Sequence, residues 1–419
     1  MHKRAPTQNQ RPLLCALGLA LGPMVALGLA RFAYSLLLPA MRTDLSWSYG
    51  QAGTMNTANA VGYLAGALAA APVTGRVGTR RVFAAGMVLA AAALLGAGLT
   101  ESFALQLLLR LAAGLGAAGT FISGAALMAR LGDRAPGRSG ALLAVYTAGA
   151  GVGIVVSGFL VQPILITTGS GGWHLAWITL AGLATASALG AWPALRRVDE
   201  PAPRATSNPH RRPGWVAELW LPALGYLLFG AGYIAYVTFV IAYLHHIGFT
   251  AGEVTAFWTL LGLTVLAGVP LWGWLLDRLR SGHALALMNL VLAAGSLLPL
   301  LFSGTGGGLA SAVIFGSAFL AVPAGMAHLA RRQLPATAWM AAIGGLTVAF
   351  AIGQSIGPAL AGLLADQHGG AALGLLLAVA TLGTAALAYL ASETQPYQRP
   401  QHRRTGTTIR EVNRREAAE

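Results

Sequence analysis

Charge is scarce in this chain: only 10% of its 419 residues are charged, and acids number 13 against 27 basic residues. With 56% of residues hydrophobic, a soluble globule of this size would lack the polar surface to cover itself. A bilayer is the solvent that fits. There is a single cysteine, Cys15, in an apolar stretch, which excludes a disulfide framework and a cysteine metal cluster. Extended polar regions are few: an N-terminal tail (1–12), a Pro- and Arg-rich segment (195–215) and a C-terminal tail (393–419). Neither tail has the apolar content to fold alone. Lys3, Arg4 and Arg11 precede an apolar run as in a secretion signal, but the run continues to about Ala40 without a cleavage context and reads as a first span.

Apolar stretches run at 13–40, 50–73, 82–99, 103–129, 139–166, 173–194, 219–244, 252–276, 284–302, 308–330, 338–364 and 371–391. Each approaches or exceeds the ~20 residues needed to cross the hydrocarbon, so twelve spans are expected. A net charge of +14 would suggest nucleic acid in a soluble protein, but here the basic residues mark topology. With the N-terminus inside, 24 of the 27 fall in inner loops and tails, Arg42 alone lies outside, and Arg31 and Arg110 fall within spans. The positive-inside rule then places both termini in the cytoplasm, with the lipid bilayer as partner and no nucleic acid.

The chain also repeats itself. Gly28-Leu29-Ala30-Arg31-Phe32-Ala33-Tyr34 in span 1 matches Gly230-Ala231-Gly232-Tyr233-Ile234-Ala235-Tyr236 in span 7 at an offset of 202. Gly75-Arg76 falls on Asp277-Arg278 at the same offset, and Gly153 on Gly357 at 204. An even number of spans per half makes the two repeats parallel, with a solute site expected between them. The halves are placed at 13–194 and 216–392, joined by the 195–215 linker.

On these residues the chain resembles the major facilitator superfamily, and within it the YbfB/YjiJ-type transporters. Gly75-Arg76-Val77-Gly78-Thr79-Arg80-Arg81 is similar to the superfamily's loop signature after span 2, and Gly273-x3-Asp277-Arg278 to its copy after span 8. The first copy departs from the pattern, because Gly75 stands where an acid of the implied charge relay is usual. Arg110-x3-Gly114-x-Gly116 resembles the span-4 signature. Gly149-x3-Gly153-x4-Gly158 resembles that of span 5, with Ile154 replacing proline, and span 11 keeps the proline in Gly353-x3-Gly357-Pro358. Arg31-Phe32-Ala33-Tyr34 with Leu38-Pro39, and Phe229-Gly230-Ala231-Gly232-Tyr233 with Thr238-Phe239, carry the resemblance to the branch. It implies an all-α membrane protein of two pseudo-symmetric six-helix bundles in a bacterial inner membrane, working as a monomer. It also implies solute movement by alternating access, with Gly75, Arg76, Arg80, Arg81, Gly149, Gly153, Gly273, Asp277, Arg278, Gly357 and Pro358 in the moving parts.

All thirteen acids can be placed in loops, tails or span ends, so the membrane interior holds two arginines and no carboxylate. A buried arginine costs ~2.5–3.5 kcal/mol on insertion scales and must find water, carbonyls or an anion. Arg31 and Arg110 lie about four and five residues outward of their span centres, hence at similar depth. Two guanidinium forks at one level suit a carboxylate or phosphate; the alternative for Arg110 is to bond neighbouring carbonyls and set helix geometry. Span 7 aligns Tyr226, Phe229, Tyr233, Tyr236 and Tyr243 on one stripe, read either as core or as an aromatic wall facing Arg31 and Tyr34, with Tyr243, close to the outer surface, read as an interface anchor. Asn56, Asn59, Tyr63, Tyr146 and Gln354 are polar candidates to line the same space, or else inter-helix hydrogen-bonding residues.

The expected function is secondary transport of a small anionic or amphipathic organic solute. Proton-driven efflux is the alternative, with Glu253 and Asp366 as the nearest acids, and a non-transporting sensor on the same scaffold is another. No nucleophile, acid–base pair or metal cluster gathers at one level, so neither an enzyme nor a metal or cofactor is expected.

Overall fold

The computed structural model describes residues 12–135, 137–200, 215–335, 338–368 and 370–394. Most of both expected tails and 201–214 of the linker lie outside the described residues. Among the described residues twelve helices are long and apolar enough to cross a membrane. Spans 2 to 9 are Tyr49–Val77, Thr79–Ala97, Phe103–Asp133, Ser139–Thr168, Trp173–Arg197, Trp215–His246, Ala251–Arg278 and Ser281–Leu301. Spans 11 and 12 are Trp339–His368 and Ala371–Thr394.

Two spans are irregular. Span 1 is α-helical over Pro12–Pro23, π-helical over Met24–Phe32 and α-helical again over Tyr34–Asp44. Span 10 is broken into Thr305–Ala318 and Val322–Gln333, with Pro323 at the start of the second piece, where its missing N–H costs nothing. Broken and π-wound helices are tolerated in a membrane where neighbours satisfy the freed backbone groups.

The spans form two bundles of six. Within each, glycines let backbones touch: a Cβ on Gly149 would lie 2.0 Å from the Ala20 carbonyl oxygen, and one on Gly353 1.9 Å from that of Leu227. Spans 5 and 11 are thereby locked onto spans 1 and 7 in equivalent places. The repeat also appears at helix starts. Ser48 and Gln51 form a reciprocal capping box on span 2, and Thr250 and Glu253 form one on span 8 at the same 202-residue offset.

Between the bundles, span 2 packs on span 11 and span 5 on span 8. That packing is tight at one end only. At the end poor in arginine, a Cβ on Gly53 would lie 2.2 Å from the Pro358 oxygen and one on Gly362 2.3 Å from the Tyr49 oxygen, and midway along spans 5 and 8 one on Gly262 would lie 2.8 Å from the Gly151 oxygen. At the arginine-rich end the bundles part, leaving a cleft of roughly 550 Å³ between Gly140, Ala144 and Val145 of span 5 and Val265, Leu266 and Pro270 of span 8. Gly75, Gly140, Gly273 and Gly344, all near that end, have no neighbouring atom within 4 Å of a Cβ position.

Candidate functional site

Arg31 lies in the π-helical stretch of span 1 and is only 3% exposed. Its Nη2 donates to Oε1 of Gln354, on span 11 of the other bundle. The same oxygen accepts the Tyr233 hydroxyl of span 7 at 3.1 Å. Arg31 and Tyr233, equivalent in the repeat, thus meet on one amide. The guanidinium also lies 5.2 Å from the centre of the Tyr63 ring. Among the described residues no carboxylate pairs with Arg31. Its Nε, and Nε2 of Gln354, are buried without a hydrogen-bond partner among the described residues.

Arg110 is arranged differently. Its two terminal nitrogens donate to the Ala30 carbonyl and to Oδ1 of Asn56, both at 2.8 Å, while the guanidinium lies 4.8 Å from the Tyr34 ring centre. Asn56 in turn donates to Thr238 of span 7 at 2.7 Å, across the bundles. This arginine ties span 4 to the π-helical part of span 1 and, through Asn56, to the opposite half.

Four other candidates bond within their own bundle. Tyr34 donates to the Ala52 carbonyl at 2.8 Å, Asn59 to that of Arg110 at 3.1 Å, and Tyr146 to that of Phe121 at 2.7 Å. Tyr236 bonds Ser311 and stacks on Phe315 at 4.0 Å. The structure therefore brings Arg31, Tyr233 and Gln354 together, sets Arg110 and Asn56 beside them, and leaves Tyr34, Asn59, Tyr146 and Tyr236 in helix packing.

Three of the five stripe residues of span 7 form a wall, while Tyr236 packs on Phe315 and Tyr243 donates to the Pro299 carbonyl at 3.3 Å. Tyr226, Phe229 and Tyr233 stack nearly parallel with Phe350 of span 11, ring centres 4.7–5.7 Å from it. Phe319, at the break in span 10, continues the wall and meets Phe32 of span 1 edge-on at 5.7 Å. Phe315, Phe319 and Phe350 did not stand out in the sequence, although Phe350 lies one helical turn before Gln354 and Phe315 one before Phe319.

The loop motifs sit at the arginine-rich end. Gly75, Arg76, Arg81, Gly273, Asp277 and Arg278 are exposed, and Arg278 stacks on Trp274 at 3.8 Å. Acids for the first copy come from the end of span 6 instead of from span 2. Asp199 pairs with Arg80 and Arg134, and Glu200 accepts the backbone N–H groups of Thr79 and Arg80 at 2.9 and 3.1 Å, capping span 3. Glu393, in the last turn of span 12, does the same for Gly282 of span 9 at 2.7 Å. Gly78, with φ +91°, makes the turn between spans 2 and 3 that Glu200 covers. At the opposite end the carboxylate of Asp366 on span 11 accepts from Tyr49 N at 2.7 Å and Gly50 N at 2.8 Å, at the start of span 2. A pair of adjacent acids following Arg196-Arg197 was the visible signal for the span-6 cluster. Asp366 had none beyond its type.

Residues 23–390 match the family described as "Uncharacterised MFS-type transporter YbfB". The chain belongs to that family of the major facilitator superfamily. Solved structures with the same fold include a mutant form of the nucleoside transporter NupG, at 13% identity and TM-score 0.72 over 90% of this chain and 99% of that one. A bacterial homologue of the human lysosomal transporter Spinster, inward-facing and unoccupied, matches at 19% identity and TM-score 0.67 over 92% and 98%. No curated protein matches the chain by sequence. It is a multi-pass membrane protein and a secondary transporter, with two six-helix bundles enclosing the Arg31 centre.

Proposed function

We propose that this transporter carries a small organic anion with an apolar or aromatic body, bound between Arg31, Tyr233 and Gln354. The observation that carries this reading is a buried guanidinium with no acid partner among the described residues, facing an amide and a phenol of the other bundle. A charge so placed is stabilised by an anion that brings its own compensating charge. The stacked rings of Tyr226, Phe229, Tyr233 and Phe350 supply a flat apolar surface beside it.

The arginine-rich end is assigned to the cytoplasm of a bacterial inner membrane by the positive-inside rule. On that assignment the cleft between spans 5 and 8 opens inward, both termini are cytoplasmic, and alternating access closes this end while parting the other. The transporter works as a monomer, each solute path lying within one chain.

Binding and counterflow in proteoliposomes test the anion reading. Benzoate and phosphate are compared with the uncharged benzamide and with a nucleoside, the cargo named for one of the fold neighbours. Arg31→Ala is expected to weaken benzoate binding about 10- to 150-fold, the equivalent of ~1.5–3 kcal/mol for a charged hydrogen-bonding group. Wild-type protein that binds only uncharged solutes would end this reading.

A further inference from the structure

We propose that Gln354 selects for the anionic cargo by switching its amide: it presents oxygen to Arg31 and, once an anion takes the Arg31 donors, turns its N–H to the solute. This rests on the anion reading above and adds the residue that discriminates.

Gln354 is fully buried, and its Oε1 takes both the Arg31 and the Tyr233 donors. Among the described residues its own Nε2 has no hydrogen-bond partner, nor has Arg31 Nε. The centre therefore holds an excess of buried donors around one neutral acceptor. That oxygen stands where an anion would be received, and an arriving carboxylate offers two acceptor oxygens in its place.

Once the carboxylate has taken the Arg31 donors, rotation of the amide turns Nε2 toward the solute, giving the anion a further N–H. Tyr233 keeps its hydroxyl as another donor. A primary amide can play both parts, whereas a carboxylate can only accept while ionised. The backbone beneath is fixed, because a Cβ on Gly353 or Gly357 would lie 1.9 and 2.3 Å from the Leu227 and Ala231 oxygens. The movement therefore belongs to the side chain. It also replaces a direct link between spans 1 and 11 with one that runs through the solute, so occupancy is felt by both bundles.

The test uses full-length protein with Gln354→Glu and Gln354→Met, measuring benzoate and benzamide binding by calorimetry at pH 7. Gln354→Glu supplies a permanent charge to Arg31 and is expected to weaken benzoate more than 100-fold and benzamide far less, so that the benzoate-to-benzamide affinity ratio falls by at least about tenfold. Gln354→Met, uncharged and of similar length, is expected to lose about tenfold for benzoate, and it decides the matter if the Glu variant does not fold. A merely structural glutamine would lower both ligands together, leaving their ratio unchanged, and that result overturns the proposal. So does benzoate binding within threefold of wild type in both variants. If wild type binds benzamide but no anion, the anion reading itself falls and takes this proposal with it.

Discussion

Asp366 holds the closed end of the transporter, and removing its carboxylate should loosen that end alone. Span 2 begins with a capping box in which Ser48 Oγ accepts from Gln51 N at 3.2 Å and Gln51 Oε1 accepts from Ser48 N at 2.9 Å. The box leaves the N–H groups of Tyr49 and Gly50 for another acceptor, and these are the two that Asp366 takes from the opposite bundle. When the bundles part at this end, water takes them instead, so Asp366→Ala acts on the closed state. A helix cap at an exposed site contributes ~0.5–2 kcal/mol, with ~1 kcal/mol as the central value. The population open at this end should then rise about fivefold, within a range of about two- to thirtyfold. Maleimide labelling reads it directly. In a Cys15→Ala background, Thr238→Cys puts a thiol at a fully buried position between the bundles, and its labelling rate in nanodiscs follows the fraction of time that end is open. Asp366→Asn, with one acceptor oxygen left, should give an intermediate rate, and exposed Gln367→Ala no change. Equal rates in wild type and Asp366→Ala would refute the reasoning.

Two further outcomes follow from the packing. Arg110→Ala removes the donors to the Ala30 carbonyl and Asn56, and each buried group left alone costs about 1–3 kcal/mol, so a clear fall in melting temperature is expected, with Arg110→Lys in between. Unchanged stability with lost benzoate binding would move Arg110 to the solute. Gly149→Ala forces a methyl against the Ala20 carbonyl and should destabilise by about 1–3 kcal/mol, whereas Gly75→Ala meets open space and should be neutral; equal melting temperatures would contradict the span 1 to span 5 crossing.

The twelve spans were legible because each is a hydrophobic run of membrane length, and the ends differ by only a few residues: 173–194 is observed as Trp173–Arg197, and 371–391 as Ala371–Thr394. The pairing of Arg31 with Tyr233 was legible through the repeat. The π-winding of Met24–Phe32 was not, because its amino acids are ordinary helix residues. Its neighbours are Gly149 and Gly153 of span 5 and the guanidinium of Arg110 at the Ala30 carbonyl, contacts far apart in the chain. The break in span 10 was hidden in a continuous apolar run, since Pro323 alone does not say which of its neighbours leaves the helix. Nor could the sequence choose between the two readings of Arg110, because helix hydrogen bonding and solute binding ask for the same side chain at the same depth. The loop motif gave the arginines of the first copy but not their partners, which arrive from Asp199 and Glu200 at the end of another span.

The wide winding of Met24–Phe32 also sets how such a chain can vary. A π-helical turn houses one residue more than the α-helical turn it replaces, so losing a single residue there can be absorbed as ordinary helix, with the flanking pieces keeping their neighbours. What changes is which side chain is turned toward the middle of the molecule. A one-residue deletion, rather than a point substitution, would then be the step by which a lineage with this architecture trades its inward-facing arginine for something else.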